Sequence, residues 1–185
     1  MRKLIVSAWI SLDGVFDATL MNEWFNPFDS DSRQAYIRDG ILSADAILFG
    51  RKTYEMLAPY WSSLKNNEMG VADKLNSVAK YVASTTLKTA DWNNTTIIGK
   101  DLVAEITSLK QQPGSEIQIE GSAELVASLA KAGLIDEYRL LGHPIIMGKG
   151  QNFFTEGFYA NQLSLVKTEL LDKGGIALYY SVDRS

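Results

Sequence analysis

The stretch that most constrains how this chain can fold runs from Ile117 to Gly150, IQIEGSAELVASLAKAGLIDEYRLLGHPIIMGKG. A short alternation of apolar residues, Ile117 and Ile119, stops at Gly121-Ser122. An Ala/Leu-rich pattern at helical spacing begins at once and ends at Gly133, and a second strand-like run covers Tyr138 to Leu141. This predicts a strand, a tight turn, a helix and a strand. A glycine in such a turn lets the backbone come close to a ligand, and the first amides of the helix lack intrahelical partners, so they can hold an anion such as a pyrophosphate. A serine at a helix start is also an ordinary N-cap, and the local pattern leaves both readings open.

The same arrangement recurs. Lys3 to Ile10 is almost continuously apolar, as a strand covered on both faces would be, and it runs into Ser11-Leu12-Asp13-Gly14. Ala44 to Phe49 is a second buried strand, followed by Gly50-Arg51-Lys52-Thr53 at the start of a helix that Pro59 is expected to end. Two cations and a hydroxyl suit phosphate oxygens, whereas cations at the positive end of a helix dipole are otherwise slightly unfavourable. Ala79 to Ala83 ends in Ser84-Thr85-Thr86, and Thr95 to Ile98 ends in Gly99-Lys100. Strands that end in small, hydroxyl-bearing or cationic residues are expected of a sheet whose carboxyl edge lines one cleft.

Other segments read as follows. Asp31-Ser32-Arg33-Gln34 has the form of a capping box, opening a helix that continues to Ser43. Asp101 to Lys110 is a helix closed by Gln112-Pro113-Gly114, while Trp61 to Asn76 predicts an irregular loop and a short helix. Leu163 to Leu170 and Ile176 to Val182, joined through Asp172-Lys173-Gly174-Gly175, predict a C-terminal antiparallel hairpin, so the sheet is mixed. Val15 to Phe28 carries Phe16, Trp24, Phe25 and Phe28 and is too long and apolar for an ordinary connection. It reads as a lid over a planar ligand, or as a packed flap or partner surface. His143 is the single histidine. With no second histidine or cysteine to share a metal, and beside an apolar run, it reads more readily as a packed residue than as a catalytic one.

The totals bound the remaining classes. With 185 residues, 46% of them apolar, the chain matches one domain spanning residues 1–185. The net charge of −4 gives no basic stripe for a nucleic-acid partner. Cysteine is absent, which removes disulfides, thiolate metal sites and cysteine nucleophiles; no metal site is expected. No apolar run approaches a membrane span and no cleavage pattern follows the N-terminal run, so the expectation is a cytoplasmic protein without a membrane partner.

SLDG near the N-terminus, LFGRKTYE, YVAST, and IEGSAELVASLAKAGLIDEY followed by HPIIMGKG and a phenylalanine pair occur together in that order. The chain thereby resembles the dihydrofolate reductase-like superfamily, specifically the reductase domain of bacterial riboflavin biosynthesis, the RibD C-terminal type, and its stand-alone relatives. The resemblance implies a three-layer α/β/α domain around a central mixed, mostly parallel sheet, binding NADPH along the strand ends. It places Gly50, Arg51, Lys52 and Thr53 at the adenosine phosphates, with Arg51 or Lys52 favouring NADPH through its 2'-phosphate. Ser84 and Thr85 would lie beside the adenosine ribose. Gly121 and Ser122, with the amides of Ala123 and Glu124, would cradle the pyrophosphate, and Ala8, Gly14 and Val15 would lie near the nicotinamide.

The implied reaction is hydride transfer to a pyrimidine- or pterin-like small molecule, as in 5-amino-6-(5-phosphoribosylamino)uracil reductase. Asp13 is the candidate catalytic carboxylate, with a turn-forming role as the alternative, and Ser11, Trp24 and Pro144 are candidates for the substrate side. Dihydrofolate reduction is a weaker reading, because Asp29 and Asp31 sit where helix capping explains them. A nucleotide-binding module without turnover is the alternative from another class, and a homodimer is expected.

Overall fold

The computed structural model describes residues 1–155, 158 and 162–183. Its frame is an eight-stranded sheet. In chain order the strands are β1 (Lys3–Ser11), β2 (Ala46–Gly50), β3 (Ala79–Ala83), β4 (Thr95–Ile98), β5 (Glu116–Ile119), β6 (Glu137–His143), β7 (Leu163–Leu170) and β8 (Ile176–Val182). The helices are α1 (Met21–Trp24), α2 (Asp31–Ser43), α3 (Arg51–Trp61), α4 (Ala72–Ser77), α5 (Leu102–Gln111) and α6 (Ala123–Lys131).

The spatial order of strands is β4-β3-β2-β5-β1-β6-β8-β7. Pairings from β4 across to β6 are parallel, and β8 joins both β6 and β7 antiparallel. The sheet is thus mixed, mostly parallel and finished by the expected C-terminal hairpin. A bulge between Leu165 and Lys167 interrupts the register of the outermost pair.

The period of two along each strand sorts side chains into two layers. Leu4, Val6 and Ala8 of β1 join Ile117 and Ile119 of β5 and the apolar faces of α5 and α6 in one core. On the opposite face Ile47 and Phe49 of β2 pack with Tyr54, Ala58, Leu75 and Trp92 beneath α3 and α4. Central strands buried on both sides explain why Lys3 to Ile10 reads as a continuous apolar run.

Two local expectations are corrected, and a third is decided in favour of one of its alternatives. The N-cap of α2 is Ser30, whose Oγ accepts from the Arg33 amide, with Asp31 already helical; the Gln34 side chain reaches Asp29 instead of closing a capping box. Pro59 does not end α3, which continues to Trp61, because a proline in the last turn removes a single backbone bond. The aromatic segment from Val15 to Phe28 is a packed flap of short helices: Val15, Trp24 and Phe25 are buried, which removes Trp24 and Phe25 as a partner surface or an open lid. No helix among the described residues is long and apolar enough to cross a membrane.

Candidate functional site

Two turns meet at the centre of the carboxyl edge. The Gly50 amide donates to the Gly121 carbonyl at 2.7 Å, tying the β2–α3 turn to the β5–α6 turn. A Cβ on Gly50 would lie 2.8 Å from Ser122 Oγ and 3.0 Å from its backbone nitrogen, so only glycine permits this approach. Gly121 has φ +101°, in the region that favours glycine, and the Phe16 ring and Thr53 Oγ1 lie against it.

From this junction α3 and α6 diverge with both N-termini directed at one edge. Ser122 caps α6, its Oγ accepting from the Leu125 amide, and Glu124 offsets the dipole in the first turn. The α3 N-terminus has neither a side-chain cap nor an acid in its first turn. Arg51 and Lys52 stand there instead, a combination of charge and unpartnered amides that suits an anion.

A cavity of about 460 Å³ opens here, lined by Gly50, Arg51, Lys52, Ser84, Thr85, Lys100, Ser122 and Glu124 among others. Residues predicted from four separate strand ends therefore share one wall system. Its charged lining is Arg51, Lys52 and Lys100 against Glu124. Arg51 is held by Glu55 at 2.8 Å in a half-exposed pair, a contact weak enough for a phosphate to displace. Ser84 Oγ accepts from the Leu87 amide at 2.9 Å and shapes its turn, leaving Thr85 exposed beside it.

The other predicted residues lie apart. Ala8 is buried with its side chain in the α5/α6 core, so only its backbone can face the cleft, and Ala123 is buried as well. Gly14 and Val15 are held within the flap, where the Gly14 carbonyl accepts from the Phe153 amide and the Val15 amide donates to Ser11 Oγ. Ser11, Asp13, Trp24 and Pro144 line neither this cavity nor the one described next. Trp24, expected against the substrate, is a buried residue whose indole donates to the Asp17 carbonyl. Ser11 is fully buried and donates to Asp13 at 2.6 Å.

Asp13 is fully engaged. It accepts from the Ser11 hydroxyl and from the amides of Met147 and Gly148, the last at 2.7 Å. These bonds, the Ser11 hydroxyl foremost, hold its carboxyl down at about 2. It is an ionised clamp on the loop after β6. His143 is caged by Trp24, Phe25 and Phe28, and its Nδ1 donates to the Ile10 carbonyl at 3.2 Å. Burial pushes its pKa down to about 4.

Sequence reading did not find the second cavity, of about 290 Å³, between α2 and the sheet. Its floor includes Ser7 and Trp9 of β1, Gln118 of β5, Glu120 just beyond it, and Arg139 of β6; Tyr36 and Asp39 of α2 are on the opposite wall. Trp9 stacks on Phe25 with ring centroids 4.7 Å apart, so the flap braces this floor. The Gln118 amide donates to the Glu120 carboxyl. Burial raises Glu120 to about 7, a value from which a carboxyl can give up a proton near neutrality. Tyr36 and Tyr179 meet edge to face at 6.2 Å, and burial raises both phenols. The signal that could have revealed this site is the alternation itself: Gln118 and Glu120 interleave with Ile117 and Ile119, placing polar groups on a covered face of a central strand.

The two cavities flank three consecutive residues: Glu120 lines one, Ser122 lines the other, and Gly121 lies between. Strand order, helical layers and cleft define a dihydrofolate reductase-like α/β domain. The chain belongs to the RibD C-terminal domain family, whose model matches residues 2–177. It is 28% identical over 97% of its length to the uncharacterized Bacillus subtilis (strain 168) protein YyaP, of which 94% is covered. A pyrimidine reductase-like protein from Corynebacterium diphtheriae superposes with a TM-score of 0.71 at 14% identity, covering 100% of this chain and 93% of that one. Enterococcus faecalis dihydrofolate reductase, complexed with NADP(H), gives a TM-score of 0.65 at 12% identity over 98% of this chain and 97% of that one.

Proposed function

We propose that this protein is an NADPH-dependent reductase acting on a pyrimidine- or pterin-like small molecule. The observation that carries this reading is the pair of cavities on either side of Glu120-Gly121-Ser122, one rich in cations and the other floored by a carboxyl near neutrality. Arg51, Lys52 and Lys100, the uncapped α3 N-terminus and the close approach allowed at Gly50 suit a ligand with several phosphates. When bound, NADPH supplies a hydride.

The remaining work falls to the chain's own residues. Ser122 and Gly121 set the wall between the two ligands, and the Trp9–Phe25 stack braces the floor of the substrate cavity. Glu120, held by Gln118, gives a proton to the substrate atom next to the carbon that is reduced. Asp13, ionised and saturated with donors, acts as a positioning residue that fixes the loop after β6.

The test is NADPH consumption, followed by absorbance, with a panel of amino-pyrimidines and pterins. Turnover that falls in Glu120→Gln with little change in cofactor affinity supports the assignment. Tight cofactor binding without consumption across the panel would favour a binding module.

A further inference from the structure

In the substrate cavity, the charged lining residues are Asp39, Glu120 and Glu169 against Arg139 and Lys167. Neither cation is free. Arg139 makes two bonds to Glu116, at 3.1 and 2.8 Å, and a third to Glu137 at 2.7 Å. Burial works against its charge, but these two carboxylates outweigh that and keep the guanidinium charged and saturated. Lys167 is bonded to Glu169 in an exposed pair, but a phosphate that displaced it would leave the Glu169 carboxylate in the same cavity, whereas Glu55, the partner of Arg51, does not line the cavity that Arg51 lines. The other arginines of α2 are also committed: Arg33 is buried on Asp29 and the Phe25 carbonyl, and Arg38 pairs with Asp39 at 3.4 Å with its stem near Gly70. An independent observation shows an unused acceptor on the floor. Gln118 is 3% exposed and its Oε1 is buried without a hydrogen-bond partner among the described residues, beside the Glu120 carboxyl.

Building on the reductase reading, we propose that the substrate carries no phosphate: it is a neutral or cationic amino-substituted heterocycle that presents an N–H group to Gln118 Oε1, beside the Glu120 carboxyl that donates to it. Among the described residues, a phosphate here would meet the Asp39 and Glu169 carboxylates and no cation without a carboxylate partner, and like charges in a partly desolvated cavity repel strongly. The phosphate-binding capacity of the molecule is concentrated on the cofactor side of the Gly121 turn, where Arg51, Lys52 and Lys100 gather. The two cavities therefore differ in charge so that each ligand is rejected from the other's place.

The experiment is calorimetric titration of the full chain, without cofactor, using two matched pairs: 5-amino-6-ribosylaminouracil and its 5'-phosphate, and neopterin and neopterin phosphate. The phosphate-free member of at least one pair is expected to bind about tenfold tighter than its phosphate, with the gap narrowing as salt is raised. Glu169→Lys, which adds a cation and releases Lys167, is expected to shrink the gap severalfold. Equal or tighter binding of the phosphates overturns the proposal, and so does binding of none of the four ligands. A protein that prefers the phosphate-free ligands and binds NADPH but never consumes it fails as a reductase while keeping this specificity.

Discussion

Glu120→Gln tests the cavity floor without reference to any substrate. The change keeps the shape of the side chain and its bond to Gln118, and removes only the ability to ionise. In the folded protein burial raises this carboxyl from 4.5 to about 7, so the fold favours its protonated form. The stabilisation is fully present below the unfolded value and is lost as pH rises through about 7. That displacement corresponds to about 3 kcal/mol at most, and residual solvent in the cavity lowers the expected figure to about 1 to 3 kcal/mol. Urea unfolding of both proteins at an acidic and an alkaline pH reads the effect. Near pH 4 the two should have similar stability; near pH 9 the variant should be more stable by about 1 to 3 kcal/mol. Titration of His143 is common to both proteins and cancels in the difference. A gap between the proteins that does not change with pH would refute the desolvated carboxyl, and with it the proton donor.

His143, held at about 4 by burial, has the opposite sign: its stabilisation is complete above the unfolded value near 6.5 and is lost as pH falls through about 4. His143→Leu should therefore move the acid-unfolding midpoint to lower pH, measured by circular dichroism. Arg51→Ala should weaken NADPH by about 1 to 3 kcal/mol and NADH far less, because a charged hydrogen bond to the 2'-phosphate is lost; equal losses in calorimetry would reject that assignment. Gly50→Ala places a Cβ 2.8 Å from Ser122 Oγ, and the resulting overpacking should destabilise the protein by about 1 to 3 kcal/mol in thermal unfolding and weaken NADPH together.

The cofactor side was legible because its signals are local. Gly50 followed by Arg51 and Lys52, Ser84-Thr85 and Gly121-Ser122 are each a strand end read within a few residues, and a parallel sheet brings such ends together. The substrate side depends on β1, α2, β5, β6, β7 and β8, which meet only through strand order. The alternation of Gln118 and Glu120 with Ile117 and Ile119 is the one local hint, and it places these polar groups on one face without saying what covers them. Asp13 reads as a catalytic candidate for the converse reason: an acid after a strand looks free until the loop of Met147 and Gly148 folds back over it. The flap from Val15 to Phe28 was recognisable as unusual by composition, but its choice between packing and exposure rests on His143, far away in sequence.

The roof of the substrate cavity, α2, has fewer buried residues than any of the other long helices among the described residues, α3, α5 and α6. Arg33 is the only buried residue of α2, near its first turn, and Gly40 interrupts its second half at a cost of about 1 kcal/mol relative to alanine. Backbone amides from Tyr36 to Ser43 should thus exchange with solvent deuterium through local opening, well before the β1 and β5 amides beneath them. A ligand that bridges α2 and the floor closes that opening. Its affinity can then be read as slowed exchange of this one helix, so a substrate can be sought by isotope protection alone, with no reaction to watch.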